Sequence, residues 1–235
     1  MSTNLYDQLL DQLGMSIVDG TLPAGTRLLL SDIEEHYDVS RTVARDAIKV
    51  LEALGLTVTK RRAGIVVQSA ESWQVLDPMV IAWRLRGMQR DRQLASLVDV
   101  REAIEPRAAA LAARSASGEQ SRRMVELAAI MTELGQRGLG RSEAYLDADL
   151  EYHRLLLESS GNEMLAAMSG MVEAVLRGRS QTGLTPARPD DRALAYHEAI
   201  AAAVRYGESE MAEQASRDLF GVIRAEVLDE HGNVT

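Results

Sequence analysis

The 235 residues contain no cysteine, which excludes disulfides and thiol chemistry. No apolar run approaches the ~20 residues that a membrane-spanning helix needs. Met1-Ser2-Thr3-Asn4 lacks the basic region and apolar core of a secretory signal. Internal repeats and low-complexity segments are missing too, and the alanine-rich runs read as helix interior. A soluble cytoplasmic protein is the expectation. The length allows one large domain or two modest ones, either with a sound core. Lysine is scarce: Lys49 and Lys60 are the only two, and they stand close together. The net charge of −9 argues against indiscriminate coating of nucleic acid, but not against a reader whose basic groups are concentrated on one surface. Residues 1–70 carry seven basic and nine acidic groups, so any such surface is local.

Residues 31–67 supply that surface. Ser31-Asp32-Ile33-Glu34 has capping-box form, with a hydroxyl at a helix start and a carboxylate three residues on. A short helix to about Tyr37, a turn at Asp38-Val39 and a good N-cap at Ser40 follow. Val43, Ala44, Ala47, Ile48, Leu51 and Leu54 then recur at helical spacing and must face a core. Arg41, Arg45 and Lys49 fall at i, i+4, i+8 on another face, and Gly55 ends the helix. Leu56 to Lys60 alternates as a strand. Lys60-Arg61-Arg62-Ala63-Gly64 forms a basic turn, and Ile65-Val66-Val67 returns as a second strand. Two short helices and a basic-tipped hairpin read as a winged helix-turn-helix. Such a helix can enter the major groove, where arginine bonds guanine bidentately. Ser40 and Thr42 suit phosphate contacts at the helix N-terminus. One isolated arginine stripe is usually a solvated helix face; caps, stripe and basic hairpin together point to DNA.

Around this stretch the chain is helical. Leu5, Leu9, Leu13 and Ile17 mark an amphipathic helix ending near Gly20, followed by a turn and an extended piece over 27–30. Residues 69–76 read as a linker, with Trp73 anchored on a neighbour. From Asp77 only helices are expected: 78–86, 91–115 with Pro106 inside, 117–137 with a capping box at Ser117, 142–159, 162–179, 191–206 and 208–228. Pro106 removes one hydrogen bond and should kink its helix. Residues 181–189 form a loop, mobile for want of apolar anchors. The fold class is mainly α: a winged helix-turn-helix at 1–68 and an all-helical bundle at 77–235.

The sequence Tyr37-Asp38-Val39-Ser40-Arg41-Thr42-Val43-Ala44-Arg45-Asp46-Ala47, continuing Leu51-Glu52-Ala53-Leu54-Gly55-Leu56, resembles the winged-helix signature of GntR-type transcription regulators. The resemblance makes Arg41 and Arg45 the groove-reading arginines, places Thr42 on the backbone, and brings Gly64 at the wing tip near the minor groove. That family usually carries an arginine where this chain has Ser31. Lys49, Lys60, Arg61 and Arg62 complete the expected DNA-binding set.

In the helical half, Asp149 and His153 stand at i, i+4 and can meet one ion, with His197 on a later helix. The plainer reading is a hydrogen-bonded histidine at the core edge beside a solvated Asp149. Residues 91–228 are similar to the helical ligand-binding (FCD) domain of the FadR subfamily of GntR regulators. The similarity rests on 98–106, on Asp149-Leu150-Glu151-Tyr152-His153 with Gly161-Asn162, and on His197-Glu198-Ala199-Ile200 with Gly207-Glu208. Many members hold a metal with an Asp and a His four apart plus two later histidines. The resemblance therefore implies one divalent ion (zinc first, manganese or nickel otherwise) on Asp149, His153 and His197. Where the last histidine should stand, the chain reads Ser216-Arg217-Asp218-Leu219-Phe220; Asp218 or water completes the shell, or the metal has been lost. Arg101 matches the family arginine that points into the pocket, a bidentate partner for a carboxylate effector; the alternative is a salt bridge with Glu105. The segment 76–83 and the Arg101 helix are similar to regulators that respond to galactonate or gluconate.

The expected protein is a sequence-specific regulator, a repressor modulated by a small carboxylate. One recognition helix reads only a few base pairs, so a homodimer on a palindromic operator is expected, with Leu94, Leu97 and Val98 among the apolar residues to spare. Two other functions compete: a metal-dependent hydrolase using Asp149, His153 and His197, and an effector-independent DNA-binding protein with an inert dimerisation domain.

Overall fold

The computed structural model describes residues 5–229, with the backbone alone for 226–229. It divides into two compact units that part between Arg90 and Asp91.

The first unit holds α1 (Leu5–Val18), β1 (Arg27–Leu28), α2 (Leu30–Tyr37), α3 (Arg41–Ala53), β2 (Thr57–Lys60), β3 (Gly64–Val67) and α4 (Pro78–Arg86). The strands form an antiparallel sheet in the order β1-β3-β2, with Lys60 opposite Gly64 at the tip of the β2–β3 hairpin. Leu9, Leu13, Ala44, Ile48, Leu51 and Ile65 meet in one core. The cap at Ser40 forms as expected: its hydroxyl accepts from the Val43 amide at 3.3 Å. The capping box at Ser31 does not form. Helix α2 starts at Leu30, its N-cap Leu29 makes no side-chain cap, and the Ser31 hydroxyl bonds Asp32 instead. Leu30 packs against the core, and this draws the first turn back past Ser31.

Within the expected linker, Trp73 is anchored as the sequence suggested, while the placement of the next helix is corrected. Residues 70–72 form a single 3-10 turn, Trp73 packs on the core of the unit, and its indole N–H donates to the Gln68 carbonyl at 3.2 Å. Helix α4, assigned from the sequence to the helical half that began at 77, lies on α1. Trp83 is 2% exposed and donates from its indole to Asp11 at 2.8 Å, while Arg86 pairs with the same carboxylate. Gly14 makes the fit possible: a β-carbon there would stand 2.5 Å from the Trp83 ring.

The second unit is all-helical: α5 (Arg90–Ser115), α6 (Gly118–Gln136), α7 (Glu143–Glu158), α8 (Glu163–Ala167), α9 (Ser169–Gln181), α10 (Asp191–Tyr206) and α11 (Ser209–Asp229). α6 packs on α7 and α10, α7 on α9, and α10 on α11. The Ser117 capping box forms with both reciprocal bonds. α5 runs through Pro106 as one element. The single helix expected over 162–179 is two, divided at Met168. The 182–190 loop is tied down by hydrogen bonds and by the buried Pro189. The Gly140 amide donates to Ala187 O at 2.8 Å, and Arg141 Nε to Thr185 O at 2.9 Å. Leu94, Leu97 and Val98 are buried within the chain and offer no spare apolar face.

Candidate nucleic-acid interface and metal centre

Helix α3 turns Ala44, Ala47, Ile48 and Leu51 into the core, which leaves Arg41, Thr42, Arg45 and Lys49 exposed on the opposite side. Their neighbours differ. Arg41 lies 3.8 Å from Glu34, and Lys49 donates to Asp46 at 2.9 Å, whereas Arg45 has no ion-pair partner among the described residues. Lys60, Arg61 and Arg62 are exposed on the hairpin. Gly64 follows at φ +73°, and a β-carbon there would come 3.0 Å from the Leu28 carbonyl of β1. Only glycine takes that conformation without strain. Arg41, Arg45 and Gly64 line one surface depression together with Leu29 and Thr59. Helix α3 and the base of the β2–β3 hairpin thus share a face.

In the second unit, α5, α7 and α10 bring together five ionisable side chains. Arg101 and Glu105 are each 1% exposed, and His153 2%. Arg101 Nε donates to Glu105 Oε1 at 2.6 Å, while His153 Nδ1 lies 2.8 Å from Glu105 Oε2. His153 Nε2 stands 3.2 Å from Asp149 Oδ1 and 3.4 Å from His197 Nε2. His197 Nδ1 lies 2.7 Å from the Ala193 carbonyl. The salt bridge offered as the alternative role for Arg101 is therefore real, and Arg101 lines a pocket as well. Tyr145, Asp149, His153, Arg179 and His197 line it too. Thr185, Pro186 and Pro189 of the tethered loop form part of the wall.

Burial alone would raise the carboxyls and lower the imidazoles. For Glu105 that penalty is outweighed by Arg101 and then His153, which hold its carboxyl at about 2. Asp149 is half-buried, which raises its carboxyl, and the His153 hydrogen bond still lowers it. Burial opposes a charge on His153, but Glu105 and Asp149 prevail and raise it. His197 is pushed down to about 4 by burial and then by His153, so it is neutral at pH 7.

The donor set fits a divalent metal. A carboxylate and a carbonyl can only accept, so His153 and His197 both carry their proton on Nδ1. Their Nε2 atoms face each other and Asp149. His153 Nε2 therefore holds either a proton given to Asp149 or a lone pair open to a metal. Asp149, His153 and His197 each offer a ligand atom, all within 4.8 Å of one another. The 3.2 and 3.4 Å separations match the ~3.3 Å edge of a tetrahedron with zinc–nitrogen bonds of ~2.0–2.1 Å. Arg101 does not obstruct this. Its Nη2 is 3.3 Å from His153 Nδ1 and 3.2 Å from Nε2, a near-equidistance that puts it over the ring face rather than on a lone pair. Asp218 does not join: it accepts from Gln214 at 2.9 Å. The residue of that helix beside Arg101 is Phe220, buried, with the Arg101 guanidinium 5.3 Å from its ring centre.

Residues 5–67 match the family described as "Bacterial regulatory proteins, gntR family", and residues 96–221 match the FCD domain. The chain belongs to the GntR family of transcription regulators. Its FCD domain is the unit that carries the Asp149–His153–His197 cluster. The galactonate operon transcriptional repressor of Escherichia coli is 29% identical over 92% of this chain and 93% of its own length. YieP, an uncharacterised regulator from the same organism, is 29% identical over 73% of this chain and 74% of its own. Lar of Listeria monocytogenes shares the fold at a TM-score of 0.58, 15% identity, and coverage of 97% of this chain and 99% of that one. These GntR-family relatives are regulators rather than enzymes, which sets the hydrolase reading aside. No helix among the described residues is long and apolar enough to cross a membrane.

Proposed function

We propose that this GntR-family protein is a repressor whose operator affinity is lowered by a small carboxylate, a sugar acid such as galactonate or gluconate, bound in the FCD pocket. The observation that carries this reading is the convergence of Arg101 with Asp149, His153 and His197 on one cavity. Arg101 Nε and Nη2 are engaged by Glu105, which leaves Nη1 for a ligand's carboxylate. A divalent ion on the three ligands, zinc in the first instance and manganese or nickel otherwise, would add an open coordination position for a carboxylate or hydroxyl oxygen. The name of the galactonate operon repressor supports the sugar-acid class.

On the DNA side, Arg41 and Arg45 read bases, Ser40 and Thr42 meet backbone, and Lys49, Lys60, Arg61 and Arg62 neutralise phosphates near Gly64. A homodimer supplies the second recognition helix for a palindromic site. The test is operator binding followed by fluorescence anisotropy, with and without saturating sugar acid. Coupling of ~1–3 kcal/mol predicts a weakening of about 5–150-fold. Operator affinity indifferent to galactonate, gluconate and related acids would favour the effector-independent reading instead.

A further inference from the structure

We propose that Glu105 is the positioning residue of the FCD site: one buried carboxylate that fixes the His153 tautomer for a metal and the Arg101 side chain for a ligand. The inference rests on the metal and carboxylate reading above, and deepens it.

Glu105 uses both oxygens. Oε1 accepts from Arg101 Nε at 2.6 Å, and Oε2 accepts from His153 Nδ1 at 2.8 Å and Arg101 Nη2 at 3.4 Å. At 1% exposure Glu105 is shielded from bulk solvent, so its partners are protein groups. The chemistry of the group matters as much as its place. An ionised carboxylate has acceptors only, so Nδ1 of His153 must keep its proton and Nε2 must face Asp149 and His197 without one once the ring is neutral. Metal-binding histidines are commonly oriented by such a partner on the other ring nitrogen. Here that partner also holds the arginine of the same pocket. The two halves of the site, ion and guanidinium, are thereby fixed by one side chain on α5.

A glutamine at 105 has nearly the same shape but presents one acceptor and one donor. The Arg101 bond is charge-assisted and claims the oxygen. The amide N–H then faces His153 Nδ1, which must accept. The ring proton moves to Nε2, where it blocks the lone pair that a metal needs.

The experiment uses full-length protein stripped of metal, as wild type, Glu105→Gln and Glu105→Asp. Zinc is titrated against a chromophoric chelator, and nitrogen-15 NMR reads the His153 tautomer at alkaline pH, where the ring is neutral. Wild type should carry the proton on Nδ1. Glu105→Gln should carry it on Nε2 and bind zinc about 10–100-fold more weakly. Glu105→Asp, which keeps a carboxylate, should keep the wild-type tautomer and recover part of the affinity. A wild-type His153 protonated on Nε2 overturns the proposal, and this measurement stands even if Glu105→Gln does not fold. Zinc binding by a folded Glu105→Gln at wild-type affinity overturns it as well. Should wild type take up no zinc, the metal reading fails, while the tautomers still decide the role of Glu105. Failure of sugar acids to bind leaves both readouts intact.

Discussion

The seating of α4 on α1 rests on Gly14, and replacing it with alanine has opposing effects that can be weighed. In a helix interior, Gly→Ala gains roughly 1 kcal/mol of propensity. Against this, the new β-carbon would lie 2.5 Å from Trp83 Cε2 and Cζ2 and 2.6 Å from Cη2. Ordinary carbon contacts are ~3.5–4.0 Å, so the indole must retreat by about 1 Å. Trp83 is flat, 2% exposed and hydrogen-bonded to Asp11, so it cannot swing aside as a flexible chain end would. Overpacking of this kind costs ~1–3 kcal/mol or more, and the clash outweighs the propensity gain. Gly14→Ala should therefore destabilise the first unit by about 1–2 kcal/mol, a urea midpoint shift of ~1 M. Both tryptophans, Trp73 and Trp83, lie in that unit, so indole emission follows its unfolding alone. The decisive control is Trp83→Ala, itself expected to cost ~3–5 kcal/mol. In that background the space is open, and Gly14→Ala should become neutral or stabilising, with Trp73 still reporting. No change of sign between the two backgrounds would mean that Trp83 is not seated on Gly14.

On DNA, Arg45→Ala should cost ~1–3 kcal/mol on the operator and relax preference at one base pair; undiminished affinity would remove Arg45 from the groove. Losing Arg61 should instead weaken all DNA similarly and reduce the salt slope by about one. The Asp11 carboxyl is held below its ordinary 3.8 by the Arg86 hydrogen bond, against some opposing burial. A depressed carboxylate stabilises fully above its unfolded pKa, and the benefit fades as pH falls through the lower folded value. The first unit should therefore lose stability below about pH 4 more steeply in wild type than in Asp11→Asn, by indole emission. Parallel profiles would remove the ion pair from the acid response.

What could be read in the sequence was local. Ser40, the α3 stripe and the Lys60–Gly64 turn are each defined within one or two turns of chain, and Asp149 with His153 is a single i, i+4 step. What could not be read needed a partner far along the chain. Glu105 shows itself as a ligand-orienting group only once α7 brings His153 beside it, and the sequence offers Arg101 as the nearer explanation. The placement of α4 depends on the missing side chain of Gly14, 69 residues before Trp83, and a glycine there looks only like a weak spot in a helix. The tether of the 182–190 loop ends on main-chain carbonyls, reached by the Gly140 amide and the Arg141 side chain, and carbonyls leave no trace in the loop's residue types. Ser31 misled because a cap pattern competes with burial of Leu30, and burial won. Leu94, Leu97 and Val98 misled because apolar spacing does not say what covers it, and these three are already buried within the chain.

The joint role of metal and arginine is tested most directly by calorimetric titration of galactonate and gluconate into zinc-loaded protein, chelator-stripped protein and zinc-loaded Arg101→Ala. Binding of one acid to the loaded wild type, with loss on stripping and loss in Arg101→Ala while zinc is retained, is the predicted result. Equal binding before and after chelation would take the metal out of the mechanism, and no binding in any form would take out the sugar acids.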